Sequence, residues 1–238
     1  MTYSQDTPIG TVVSEDFRTA AVFRKFGFDF WCGGQQLIIE ACNAKGLDPS
    51  ELLRQLDTVR SAPPDTLPAF QRWDPDLIVD YIVENHHRYV RQVVPAITLR
   101  ATKVGRAHGR RRPELLELGR TFERLTQELA IHMDREERLL FPYIKRLSIA
   151  TRTGPAAGAL LFGSARTMTR LMENEHLSIG ANMDRIRLLS GNYTLPDDAD
   201  ATDRRLFQEL EAFEIDLQTH LHLENNILFP QVIALEGQ

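Results

Sequence analysis

Apolar residues recur at three- and four-residue intervals over most of the chain, and sustained apolar/polar alternation with β-branched enrichment is missing. That period predicts helix nearly everywhere. Four long stretches carry it, over residues 75–104, 113–148, 160–190 and 201–234, separated by the breaker-rich GRAHGRRRP, TRTGPAAG and SGNYTLPDDADAT. Long helices joined by short connections predict an all-α fold, an antiparallel up-down four-helix bundle over 75–238. Three shorter helices are expected before it. Ser14 caps a stretch ending at Gly27, Gln35 to Lys45 is stopped by Gly46, and Asp48-Pro49 opens Glu51–Val59. They form a small helical domain over residues 1–60. Residues 61–74, with Pro63, Pro64 and Pro68, read as a linker, and Asp74-Pro75 repeats the cap-and-proline start.

An internal repeat lies within the long helices. HMDREERLLFP (His132 to Pro142) and HLHLENNILFP (His220 to Pro230) share H-x-x-x-E-x-x-x-L-F-P. Each puts a histidine and a glutamate one helical turn apart on one face. Pro142 and Pro230 are expected to bend or end their helices, and Phe141 and Phe229 to wall an apolar end of a site.

In antiparallel neighbours, residues at one height are equidistant from the connecting turn. The midpoint of His87 and His132 falls between Gly109 and Arg110, that of His132 and His176 at Gly154, and that of His176 and His220 at Asp198. All three lie in breaker segments, so one histidine from each long helix reaches a common level. The test does not separate His87 from its neighbour, and the apolar stripe Ile78, Ile82, Tyr89, Val93, Ile97 puts His86 nearer its centre.

One histidine alone is ordinarily a surface or hydrogen-bonded core residue. Four histidines with Glu136 and Glu224 at one level would leave buried carboxylates facing each other without a counter-charge, at several kcal/mol per ion, unless metal neutralises them. Imidazole plus carboxylate without thiolate suits iron, manganese or zinc. Six donors exceed one tetrahedral zinc and fit a dinuclear centre, with Glu136 and Glu224 bridging and positions left open for a small ligand. His222, two residues from both His220 and Glu224, is expected to face away, and His108 to be a solvated loop residue. Glu137 and Glu175 read as solvated helix-face charges.

Composition narrows the setting. The 238 residues are 42% hydrophobic and 26% charged with net charge −5, so a core is possible and a basic nucleic-acid footprint is absent. The longest apolar run, around Ala156 to Phe162, is too short for a bilayer, and the MTYSQDTPIG start lacks a signal-peptide pattern. A cytoplasmic protein without membrane or nucleic-acid partners is expected. Two cysteines are too few for a disulfide scaffold. Cys42 reads as packing. Cys32, before Gly33-Gly34 and an expected helix start, is either an auxiliary thiol activated by the helix dipole or a structural thiol.

HHRYVRQVVP (His86 to Pro95), the two repeats, ENEHLSIG (Glu173 to Gly180) and FRKFGFDFWCGG (Phe23 to Gly34) together resemble the repair-of-iron-centres family of hemerythrin-like di-iron proteins. The likeness spans nearly the whole chain in the same domain order. It implies the ligand set His87, His132, Glu136, His176, His220 and Glu224, and through the spacing to Pro95 it favours His87 over His86. It also implies two non-haem irons, and protection or repair of iron–sulfur clusters under nitrosative or oxidative stress, with iron–sulfur client proteins and nitric oxide or oxygen as the small ligand. Iron donation, reduction of nitric oxide to nitrous oxide, and hemerythrin-like carriage or sensing of the diatomic ligand are all compatible with it. Family members often carry two adjacent cysteines before Gly-Gly; here Trp31 stands first, so no vicinal pair exists.

Overall fold

The computed structural model describes residues 3–63, 68–154 and 164–236. The apolar run 156–162, the expected helix start at 160 and part of the proline-rich linker lie outside the described residues. Within them every element is helical apart from one isolated antiparallel bridge between Pro8 and Leu37. None of these helices is long and apolar enough to cross a membrane.

The N-terminal unit comprises α1 (Ile9–Glu15), α2 (Ala20–Lys25), α3 (Ile38–Lys45) and α4 (Pro49–Ser61). Asp48 caps α4 by accepting from Ser50 N at 2.9 Å, and Pro49 sits where a helix needs no donor. Ser14 is not a cap. It lies inside α1, and Asp16 caps the following turn, accepting from Arg18 N at 3.1 Å while its carboxylate also grips the Arg18 side chain.

Four rods make the bundle. The first is α5 (Pro75–Tyr81), a π turn (Ile82–His87) and α6 (Arg88–His108). The second is α7 (Glu114–Arg135), a π turn (Glu136–Leu140) and α8 (Phe141–Thr153). The third is α9 (Ala165–Leu189), and the fourth α10 (Ala201–Leu223), a π turn (Glu224–Leu228) and α11 (Phe229–Glu236). Packing of α6 on α7, α5 on α8, α7 on α9, α9 on α11 and α10 on α6 closes an antiparallel up-down ring. Asp74 stands at the start of α5 without capping it; its carboxylate accepts from Arg152 at 2.6 Å instead.

Neither Pro142 nor Pro230 ends its rod. Phe141 N–H donates to Glu136 O and Phe229 N–H to Glu224 O, five residues back, and each proline then falls in the first turn of the resumed helix. There its missing N–H costs nothing. The π turn absorbs what would otherwise be a break.

The apolar interior divides in two. One core joins Phe23, Phe30 and Leu52 of the N-terminal unit to Val90, Leu129, Ile179 and Leu217 of the rods. The other holds Ile82, Leu140, Met172 and Leu223. The boundary crosses every rod at the level of the sequence-predicted histidines.

Candidate metal centre

The residues at that boundary are His87, His132, Glu136, His176, His220 and Glu224, and each is at most 1% exposed. They form two overlapping groups. His87, His220 and both glutamates bring donor atoms within 4.8 Å of one another, as do His132, His176 and the same glutamates. Glu136 turns Oε2 towards His87 Nε2 (3.4 Å) and Oε1 towards His132 Nε2 (3.3 Å). Glu224 turns Oε1 towards His220 Nε2 (3.0 Å) and Oε2 towards His176 Nε2 (3.2 Å). Each carboxylate therefore spans both groups.

Three of the imidazoles have their tautomer set from behind. His87 Nδ1 lies 2.6 Å from Glu137 Oε1, His132 Nδ1 2.8 Å from Glu175 Oε2, and His176 Nδ1 2.8 Å from Asn225 Oδ1. All three partners are acceptors, so Nδ1 carries the proton and the neutral ring aims its Nε2 lone pair inward. Inside, His132 Nε2 and His176 Nε2 are 2.9 Å apart, and His87 Nε2 and His220 Nε2 3.2 Å. Both oxygens of Glu136 and Oε2 of Glu224 have no hydrogen-bond partner. Lone pairs and carboxylate oxygens converging in a buried space need a cation, and this donor set fits a pair of metal ions.

The electrostatics of the metal-free chain agree. Burial alone would raise Glu136, and the Glu224 charge adds to that, yet His132 and His87 hold it below the usual carboxylate range. Burial likewise opposes Glu224, but His220 and His176 hold it well below. Burial would lower His87 and His132, and the two glutamates raise both. For His220, burial wins and the ring is held low. Without metal, the carboxylates thus favour a second, inner proton on His87 and His132, where the neutral ring has a lone pair, but not on His220.

The structure distinguishes the neighbours His86 and His87. His87 joins the cluster. His86, also buried, stacks on the outer face of the His220 ring at 5.6 Å and bonds Asp216 Oδ1 through Nδ1 at 2.9 Å. The π turn is the reason: its extra residue advances the inward face by one, so Val90 is buried where the regular period pointed to Tyr89. Phe141 stacks on His87 (5.7 Å) and Phe229 on His176 (6.0 Å), covering the site from the second core.

Glu137 and Glu175 are not the free surface charges the sequence suggested. Besides orienting histidines, Glu137 accepts from Arg91 at 2.7 Å and Glu175 pairs with Arg135. The repeat held a signal for this, since Glu137 and Asn225 occupy the same position in it, each directly after the spanning glutamate. His222 faces away from the cluster, buried between Phe17 and Phe30 of the N-terminal unit. Its Nδ1–H donates to Phe30 O at 3.4 Å, leaving Nε2 to accept from Ser14 Oγ at 3.3 Å. His108 ends α6 instead of lying in a loop, 3.4 Å from the buried Asp203.

The helix start expected to activate Cys32 is absent there, because α3 begins only at Ile38. Burial pushes the Cys32 thiol up, and Asp29 and Asp184 push it further. Cys42 is fully buried in the core, as expected of a packing residue.

Comparison with known proteins agrees with this geometry. Residues 79–232 match the Hemerythrin HHE cation binding domain, and residues 5–60 a Domain of Unknown function (DUF542). The chain is 33% identical over 221 residues to the iron-sulfur cluster repair protein YtfE of Yersinia pestis (strain Pestoides F), covering 93% of each. The protein of that name from Yersinia pseudotuberculosis serotype O:1b (strain IP 31758) matches at the same identity and coverage.

Proposed function

Since this chain belongs to the hemerythrin HHE family and, within it, to the iron–sulfur cluster repair proteins, we propose that it restores damaged iron–sulfur clusters in client proteins. In this reading His87, His132, Glu136, His176, His220 and Glu224 hold two iron ions as the resident centre. The observation that carries it is the convergence of inward-facing imidazole nitrogens on two buried carboxylates that each span both halves. When bound, such a pair supplies redox chemistry and open positions for a diatomic ligand such as nitric oxide or oxygen.

The chain's own contributions follow from the geometry. Glu137, Glu175 and Asn225 keep protons on the outer ring nitrogens, so the inner ones stay basic. Phe141 and Phe229 keep bulk water from the carboxylates, whose charge is then strongly felt. Glu136 and Glu224, each facing both histidine pairs, would hold both ions, and would still hold one if the other were given up as cargo.

The test uses a ferredoxin whose cluster has been damaged with nitric oxide. Addition of the iron-loaded, reduced protein should restore the ferredoxin's visible spectrum and electron transfer, while Glu136→Ala should not. Stable, reversible ligand binding with no recovery of the cluster would point instead to a carrier or sensor. Failure to bind iron at all, or full repair by a variant lacking all six residues, would overturn the reading.

A further inference from the structure

Asn225 follows Glu224 directly, and its side-chain amide faces two ways. Its Oδ1 accepts from His176 Nδ1 at 2.8 Å. Its Nδ2 donates to Trp31 O, in the N-terminal unit, at 2.9 Å and lies 3.8 Å from Cys32 Sγ. Asn226 grips the same loop, donating to Phe30 O (3.1 Å) and Trp31 O (3.2 Å). Its amide fills a slot that only glycine leaves open: a Cβ on Gly34 would come within 2.1 Å of Asn226 Oδ1, and one on Gly10 within 2.3 Å. The N-terminal unit is thus latched to the π turn that carries Glu224.

The other half of the repeat lacks this latch. There the two positions are Glu137 and Arg138. Glu137 holds His87 at 2.6 Å and is braced within the bundle by Arg91. Arg138 is largely exposed and pairs with Asp134 on its own rod. A carboxylate accepts from imidazole whichever oxygen it presents, and it cannot donate to a carbonyl. An amide has one accepting and one donating end. Asn225 presents the accepting end to His176 because Trp31 O takes the other.

We propose that docking of the N-terminal unit, acting through the Asn225 amide, sets how tightly the metal position between His132 and His176 is held, while the position between His87 and His220 is independent of docking. Undocking leaves Asn225 free to turn, and His176 loses the partner that fixes its tautomer. This rests on the di-metal reading above and deepens it: one of the two ions becomes releasable, and contact at the Phe30–Gly34 loop decides when. In a cluster repair protein, that is the ion available as cargo. Asn225 is a positioning residue in this scheme, since it touches neither the ions nor the client.

The experiment is anoxic ferrous-ion binding to the full chain, resolved into two affinities by stepwise chelator competition, with tryptic cleavage after Arg60 and Arg72 reporting undocking. Gly34→Ala should undock the unit and weaken one site about 10- to 100-fold, leaving the other unchanged. Asn225→Asp added to it should restore the weakened site, because a carboxylate needs no carbonyl to orient it. Should Gly34→Ala fail to fold, Gly10→Ala presses on the same amide from the other side. An undocked variant with both affinities intact, or with both lowered alike, overturns the proposal. So does a glycine variant that stays docked, or absence of rescue by Asn225→Asp. A wild-type chain that binds fewer than two ions would instead bring down the di-metal reading itself.

Discussion

His132 Nε2 and His176 Nε2 stand 2.9 Å apart across the interface between α7 and α9, although both rings carry their Nδ1 proton outward to an oxygen acceptor. Two lone pairs held that close are stable only with a positive charge between or beside them. The ring pair and the two carboxylates are therefore arranged for a cation, and its loss should be felt in both halves through whichever carboxylate is removed. Glu136→Ala or Glu224→Ala should abolish binding of both metal ions, because each glutamate faces both histidine pairs. His87→Ala should weaken chiefly one. Metal stoichiometry on the purified variants checks this, and a Glu136→Ala protein that retained two tightly held ions would sink the bridging arrangement.

Glu137 orients His87 without belonging to the cluster. Glu137→Leu should leave the fold intact, since the side chain is partly exposed, yet lower metal affinity by about 10- to 100-fold. Circular dichroism and chelator competition on the same sample separate the two effects. Unchanged affinity would mean that the His87 orientation is set by packing against Phe141 alone.

Cys32 should be a slow thiol. Burial, Asp29 and Asp184 all disfavour the thiolate, and only the thiolate reacts. Alkylation by iodoacetamide at pH 8 should run at least about tenfold slower in the folded protein than in denaturant, with Cys32 and Cys42 resolved by peptide mapping. Rapid labelling of Cys32 in the native state would contradict the environment described above.

Asp76 ties α5 to α8, accepting from Arg152 at 2.9 Å and from Ser148 Oγ at 2.6 Å. The Arg152 hydrogen bond holds its carboxyl below the ordinary value, against a smaller opposing effect of burial. A carboxyl lowered in the folded state stabilises above the unfolded value of about 4 and loses that contribution as pH falls through the folded one. Because Arg152 is partly exposed, screening limits the effect to about 1 kcal/mol or less. Asp76→Asn should thus lower the melting temperature at pH 7, and the gap from wild type should narrow on acidification to about pH 3. A gap of equal size at both values would assign the loss to packing.

Much of this molecule is legible in one dimension. The four long helical stretches and the breakers between them follow from periodicity and from glycine and proline, which act locally whatever the chain packs against. The common level of His87, His132, His176 and His220 follows from arithmetic on an antiparallel bundle, and the repeated H-x-x-x-E supplies the two carboxylates. What the period misses is a single added residue. The π turn at Ile82–His87 turns His87 inward and puts His86 behind His220, and no composition signal marks it. Its counterparts before Pro142 and Pro230 carry rods through prolines that the pattern reads as bends or ends.

The remaining differences arise between rods. Glu137, Glu175 and Asn225 look like surface residues on their own helices, and each becomes a partner of a histidine only because another rod brings that ring within 3 Å. Cys32 sits before two glycines that suggest a helix start, but the loop continues to Leu37 and packs on Asn225 and Asn226. Local pattern specifies which residues are donors and at what height they lie, because both depend on distance along the chain. Which nitrogen carries the proton, which histidine faces inward, and how the N-terminal unit is latched depend on neighbours more than forty residues away in sequence, and only packing of the rods brings those together.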